Sequence, residues 1–146
     1  MSATLATYVA LPGNAADAFT HWQEVFGGEL DLTRYGDMDL EGMPFTPDPE
    51  KVAHAALHTP GGDITGGDAM PGEDAPPLRD TAYSLLYGVD TPDEARTLIQ
   101  KLVDGGGSVN MPFELAPWGD WYGQAFDRFG VMWAFAASES SGTQTP

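Results

Sequence analysis

The chain has 146 residues and a formal net charge of −16 at neutral pH, with 22 acidic side chains against 6 Lys and Arg. That balance argues against nucleic acid or an anionic membrane surface as a partner. An apolar fraction of 42% with 7 Phe, 4 Trp and 5 Tyr can fill a core, so disorder is excluded for most of the chain, and the lack of cysteine excludes disulfides, thiolate metal sites and a cysteine nucleophile. No apolar run is long enough for a membrane span, and no basic segment precedes an apolar core at the N-terminus. The expectation is a cytoplasmic protein with no membrane contact. The 18 Gly and 12 Pro predict many turns and short elements.

The stretch Leu5 to Leu11 is rich in strand formers and stops at Pro12-Gly13. Asn14 is the expected N-cap of a helix whose apolar face is Ala15, Ala18, Phe19, Trp22, Val25 and Phe26, closed by Gly27-Gly28, with His21 on its solvent side. Glu29 to Tyr35 alternates polar and apolar residues, as a half-buried strand does. Residues 36–51 are acidic and proline-rich and predict a loop. Val52 to Thr59 reads as a strand, Pro60-Gly61-Gly62 as a hairpin turn and Asp63 to Gly67 as its partner strand. Residues 70–79 read as a proline-rich linker.

The same order then returns. Ala82 to Val89 is a strand, and Thr91 before Pro92 caps a helix carrying Leu98, Leu102 and Val103 that ends at Gly105-Gly106-Gly107. Ser108 to Phe113, Gly119 to Asp127 and Val131 to Ala137 are strands, the last two joined by a turn at Arg128-Phe129-Gly130. Each half is strand, helix, three strands, which points to two duplicated modules rather than a solenoid. The Ser/Thr/Gly-rich tail, 138–146, buries too little to order itself.

With Gly13-Asn14-Ala15-Ala16-Asp17-Ala18-Phe19, Val25-Phe26-Gly27-Gly28-Glu29, His54-Ala55, Trp118-Gly119-Asp120-Trp121-Tyr122-Gly123 and Asp127-Arg128-Phe129-Gly130 in this order, the chain resembles the vicinal oxygen chelate superfamily. This is the glyoxalase and bleomycin-resistance fold, and the resemblance is to its PhnB-like branch, a group often labelled 3-demethylubiquinone 3-methyltransferase-like. The resemblance implies an α+β fold in which two tandem βαβββ modules, 1–70 and 80–137, form a cupped mixed sheet around a cavity. It also implies pairing into a homodimer. The superfamily hosts isomerases, dioxygenases, thiol transferases and drug-binding proteins, so the fold leaves function open. The methyltransferase label has no support in the residues, because no glycine-rich loop follows a strand in a doubly wound domain.

Enzymes of the superfamily hold a metal through His, Gln or Glu near the middle of each module's first strand and on its last strand. The resemblance places these positions at Thr7, at Thr65 or Gly66, at Ser84 and at Ala134. None offers an imidazole or carboxylate, so no metal and no cofactor is expected. His54 and His58 would share a face of a strand roughly 13 Å apart, too far for one ion, so two polar residues on a sheet face compete with a ligand-contacting His54. Trp118, Trp121 and Tyr122 concentrate aromatic area beside a glycine, a surface suited to stacking flat ligands or to closing a cavity mouth. Core packing is the rival reading, although two tryptophans in an extended segment cannot all enter one core. Trp133 is expected under a helix, on the face opposite Ala134. The glycines around Asp63 lack the lysine of a phosphate loop, and no nucleophile elbow is present. The expectation is a metal-free protein that binds or sequesters an aromatic or hydrophobic small molecule through Thr7, His54, Ser84, Trp118, Trp121, Tyr122 and Ala134. The alternatives are a metal-dependent lyase, isomerase or dioxygenase drawing ligands from His58, Asp63 or Glu114, and an interaction module whose cavity is filled by Phe45 or Met70.

Overall fold

The computed structural model of the chain describes residues 5–38, 48–69 and 83–138. The expected linker at 70–79, most of the acidic loop, Phe45, Met70 and the tail from 139 onward lie outside the described residues. The chain divides into two compact units, Met1–Pro76 and Pro77–Pro146. The first contains β1 (Thr7–Leu11), α1 (Ala15–Phe26), β2 (Glu29–Arg34), a short 3-10 turn (Tyr35–Asp37), β3 (Val52–Thr59) and β4 (Gly62–Asp68). The second contains β5 (Leu85–Val89), α2 (Pro92–Asp104), β6 (Ser108–Leu115), β7 (Trp121–Phe126) and β8 (Met132–Ala137).

The strand orders are β1-β4-β3-β2 and β5-β8-β7-β6. In each sheet the first strand runs parallel to the last and the other pairings are antiparallel. This is an α+β fold made of two βαβββ modules of one topology.

Each helix covers one face of its own sheet. On α1, Ala15, Ala18, Phe19, Trp22, Val25 and Phe26 are buried, with Phe19 edge-on to Trp22 at 4.8 Å. Burial of side chains of this size contributes roughly 1.5–3 kcal/mol each. Opposite them stand Val9, Leu11, Ala55, Leu57 and Ile64. Gly66 is there because a Cβ would meet the Val9 carbonyl oxygen at 2.2 Å and the Phe19 ring at 3.2 Å. His21 departs from its expected solvent position and is only 5% exposed. It lies three residues after Ala18 and four before Val25, which widens the apolar stripe onto it.

Capping differs between the helices. Thr91 Oγ1 accepts from Glu94 N at 3.2 Å while Glu94 Oε1 accepts from Thr91 N at 3.1 Å, a reciprocal capping box. Asn14 occupies the N-cap of α1 but makes no side-chain cap, and its buried Oδ1 has no hydrogen-bond partner among the described residues. Asp68, at the end of β4, does the work instead. Its Oδ1 accepts from Ala15 N at 2.9 Å and its Oδ2 from Val52 N at 2.8 Å. A carboxylate meeting one orphan donor at the helix N-terminus and another at the start of β3 displaces a neutral amide that could meet only the first.

Asp127, fully buried, holds the second unit. Its Oδ1 accepts from Phe129 N at 2.9 Å and Val131 N at 3.0 Å, and its Oδ2 from Trp133 Nε1 at 3.0 Å. The Asp-Arg-Phe-Gly sequence is therefore a turn built on a buried carboxylate. Asp127→Ala leaves three donors without their acceptor, two of them buried, and is expected to cost about 3 kcal/mol. Asp68→Ala is expected to cost about 1–3 kcal/mol, and Asn14→Ala less than about 0.5 kcal/mol. Urea unfolding of the three variants checks the order, and an Asn14→Ala loss equal to that of Asp68→Ala would refute the assignment of the cap.

Candidate functional site

Strand alternation sorts the candidate residues, since successive side chains leave opposite faces of a sheet. In the first unit, Val9 and Leu11 lie under α1, and Thr7 shares their side of β1. Its carbonyl accepts from Thr65 Oγ1 at 2.6 Å. The open-face residue in that part of β1 is Tyr8, paired in register with Thr65 of β4. Gly66 belongs to the helix side. His54 is exposed on the open face, with its ring 6.3 Å from that of Tyr8.

Further along the same face, His58 stands between two carboxylates. Its Nδ1 lies 3.0 Å from Asp63 Oδ1 and its Nε2 3.3 Å from Asp31 Oδ2. The three side chains come from β3, β4 and β2, so the group ties the strands together. Glu29 pairs with His58 in register and adds a third acidic residue nearby.

In the second unit, Trp133, Phe135 and Ala137 of β8 and Gly123 and Ala125 of β7 line the helix side. Trp121 shares that side, stacked on Phe113 at 5.9 Å and lying under the Arg96 guanidinium at 5.0 Å. It tethers α2 to the sheet by a cation–π contact. Tyr122 leaves by the opposite face, where Trp118, 70% exposed, meets it edge-on at 6.4 Å. The structure thus brings Trp118 and Tyr122 together and parts them from Trp121. Trp133 stands opposite Ala134, as expected. Ala134 is buried in register between Gln124 of β7 and Leu86 of β5. Ser84 is exposed just before β5 and shares the side of Leu86.

Two residues of this face escaped the sequence reading. Asn110 Nδ2 donates to Gln124 Oε1 at 3.0 Å, and Gln124 Nε2 donates to Tyr122 Oη at 3.0 Å. Asn110 sits where the β6–β7 register shifts, between Val109 and Met111. A bulge re-aims a side chain, and no pattern in the sequence marks where one falls.

Whether the superfamily's metal would fit can be judged from these pairs. The open-face partners on first and last strands are Tyr8 with Thr65, and Leu86 with Ala134. Neither pair carries an imidazole or a carboxylate, the donors that divalent ions take from such positions. Among the described residues no three His, Asp or Glu side chains converge on a point that could hold an ion. The donor set does not fit the group.

The sequence model of the Glyoxalase/Bleomycin resistance protein/Dioxygenase superfamily matches residues 4–135. Protein YjdN of Escherichia coli (strain K12) is 28% identical over 96% of this chain and 99% of its own length. Protein PA1353 from Pseudomonas aeruginosa superposes with a TM-score of 0.80 at 29% identity, covering 95% of this chain and all of that one. The PhnB protein from Bacillus cereus superposes with a TM-score of 0.70 at 21% identity, covering 93% of this chain and all of that one, a likeness of fold alone.

The Asp63 carboxylate, by hydrogen bond and then by charge, raises the pKa of His58 above its ordinary 6.5 against an opposing desolvation, and Asp31 adds a lesser rise. A raised folded-state value means that the stabilisation is fully present below pH about 6.5 and is lost as pH climbs through the shifted value. An NMR titration is expected to place the His58 midpoint above 6.5, and Asp63→Asn to bring it down further than Asp31→Asn does. A wild-type midpoint at or below 6.5 would show that the clamp is absent in solution.

Proposed function

Because the chain belongs to the Glyoxalase/Bleomycin resistance protein/Dioxygenase superfamily, and because its strand pairs lack that superfamily's metal donors, we propose that it is a metal-free protein that binds or sequesters an aromatic or hydrophobic small molecule. The observation that carries this reading is the residue content of the two register pairs, Tyr8 with Thr65 and Leu86 with Ala134. Aromatic, hydroxyl, branched alkyl and methyl groups contact a ligand without the Lewis-acid activation that a bound metal would supply.

Tyr8 and His54 in the first unit, and Trp118 and Tyr122 in the second, supply ring area exposed on the open faces. In the second unit Ser84 and Ala134 are small residues of the open side that leave room beside those rings, and Trp121 supports its segment of β7 from the helix side, whereas Thr7 shares the helix side of β1 and falls outside the proposed open-face surface. An enzyme reading would need His58, Asp63 or Glu114 as ligands. Both nitrogens of His58 already face carboxylates, and Glu114 is exposed on β6 in register with Tyr122 rather than beside a second donor of that kind. Each sheet ends in two edge strands, which supports association with a second copy. The net charge and composition favour a cytoplasmic setting.

Elemental analysis of the purified protein, paired with thermal unfolding in Mn²⁺, Ni²⁺, Zn²⁺ and Fe²⁺, tests the proposal. A metal at a hundred times its Kd adds about 2.7 kcal/mol to the native state. The expected outcome is no stoichiometric metal and no rise in midpoint. A stoichiometric ion with a raised midpoint would overturn the metal-free reading.

A further inference from the structure

We infer that Tyr122 is the specificity-determining donor of a site on the open face of the second sheet. Its ligand class is a flat, uncharged aromatic molecule bearing a hydrogen-bond acceptor, such as a ring nitrogen or a carbonyl. This rests on the small-molecule reading above and narrows it to one chemistry.

The argument begins at Met132. Its thioether sulfur lies 3.5 Å from Asn110 Nδ2, and a thioether has lone pairs but no proton to give. That contact, weak in itself, decides which end of the Asn110 amide points inward. With Nδ2 facing Met132 and Gln124 Oε1, the Gln124 amide must turn its own Nε2 away from Asn110, toward Tyr122 Oη. The direction therefore runs Asn110 to Gln124 to Tyr122, and the phenol receives a hydrogen bond at its oxygen. Among the described residues its proton goes to no acceptor. A hydroxyl that already accepts is polarised into a stronger donor, and this one is beside the exposed Trp118 ring.

A flat ligand laid on Trp118 would meet that proton at its edge. Stacking asks for a π-face, and the hydroxyl asks for a lone pair. Charge narrows the class again, because Glu114 lies directly across the β6–β7 ladder from Tyr122. Directly opposed residues have Cβ atoms about 4.5–5.5 Å apart, so an anionic acceptor would be placed against a carboxylate. The lone pair must come from a neutral group.

Three bicyclic probes of similar shape separate these demands: quinoline, which is flat, neutral and carries an acceptor; naphthalene, which lacks the acceptor; and 2-naphthoate, whose acceptor is charged. Each is titrated into the full chain above pH 7, followed by NMR of the Trp118 indole and the Asn110 and Gln124 side-chain amides. Quinoline is expected to bind about three- to tenfold more tightly than naphthalene, the range of one net hydrogen bond, and 2-naphthoate more weakly than quinoline. Tyr122→Phe is expected to abolish the quinoline preference while leaving naphthalene unchanged, and Trp118→Ala to weaken both equally. Thermal midpoints confirm that the variants are folded. Equal binding of quinoline and naphthalene to the wild type, or a preference that survives Tyr122→Phe, would overturn the donor role and leave the small-molecule reading intact. If no probe perturbs these resonances, the site itself falls, and with it the ring surface on which the broader reading draws in this unit.

Discussion

A strand side chain has two directions open to it, and in each unit the single helix among the described residues claims one of them. Everything proposed about ligands follows from what is left on the other side. On the claimed side the chain places Val9, Leu11, Ala55, Leu57 and Ile64 in one unit, and Ala125, Trp133, Phe135 and Ala137 in the other. The remaining positions carry Tyr8, His54, His58 and Thr65, or Leu86, Asn110, Tyr122 and Gln124. The sheets can be polar, aromatic and exposed on that side because a helix already satisfies the hydrophobic demand on the first.

Two carboxylates, Asp127 fully buried and Asp68 partly so, hold that division in place. Asp68 ends β4 by binding the first amide of α1 and the first amide of β3 at once, so the helix start and two strand ends share one anion. Asp127 does the corresponding job at the β7–β8 turn, with the Trp133 indole as its third donor. A carboxylate can accept from several N–H groups in one place, which no neutral side chain matches. Both residues belong to the acidic excess of a chain of net charge −16, yet the role each plays in these contacts is structural.

Local grammar was legible in the sequence and long-range partnership was not. The limits of β3 and the Thr91 cap are read from adjacent residues, and the observed Val52–Thr59 and the Thr91–Glu94 box match that reading. Asn14 looks like a cap in the sequence because its neighbours look like a helix start. The acceptor that serves Ala15 lies 53 residues away, where no local window reaches. Parity errors have the same origin. Thr7 and Tyr8 are both compatible with a strand, and only pairing with β4 tells which of them leaves the open face.

The aromatic segment shows why a site is harder to read than a fold. Trp118, Trp121 and Tyr122 look like one cluster in the sequence, but strand geometry deals Trp121 to the helix side under Arg96 and Tyr122 to the open side beside Trp118. What gives Tyr122 chemical direction comes from Asn110 and Gln124, two amides unremarkable in composition that meet only because β6 shifts register near Asn110. A superfamily that can carry metals on its sheets here carries a chain of amides ending in a phenol. In the binding reading proposed above, such a relay of neutral dipoles selects a ligand by the acceptor it offers. A hydroxyl held by an amide can distinguish an acceptor from its absence.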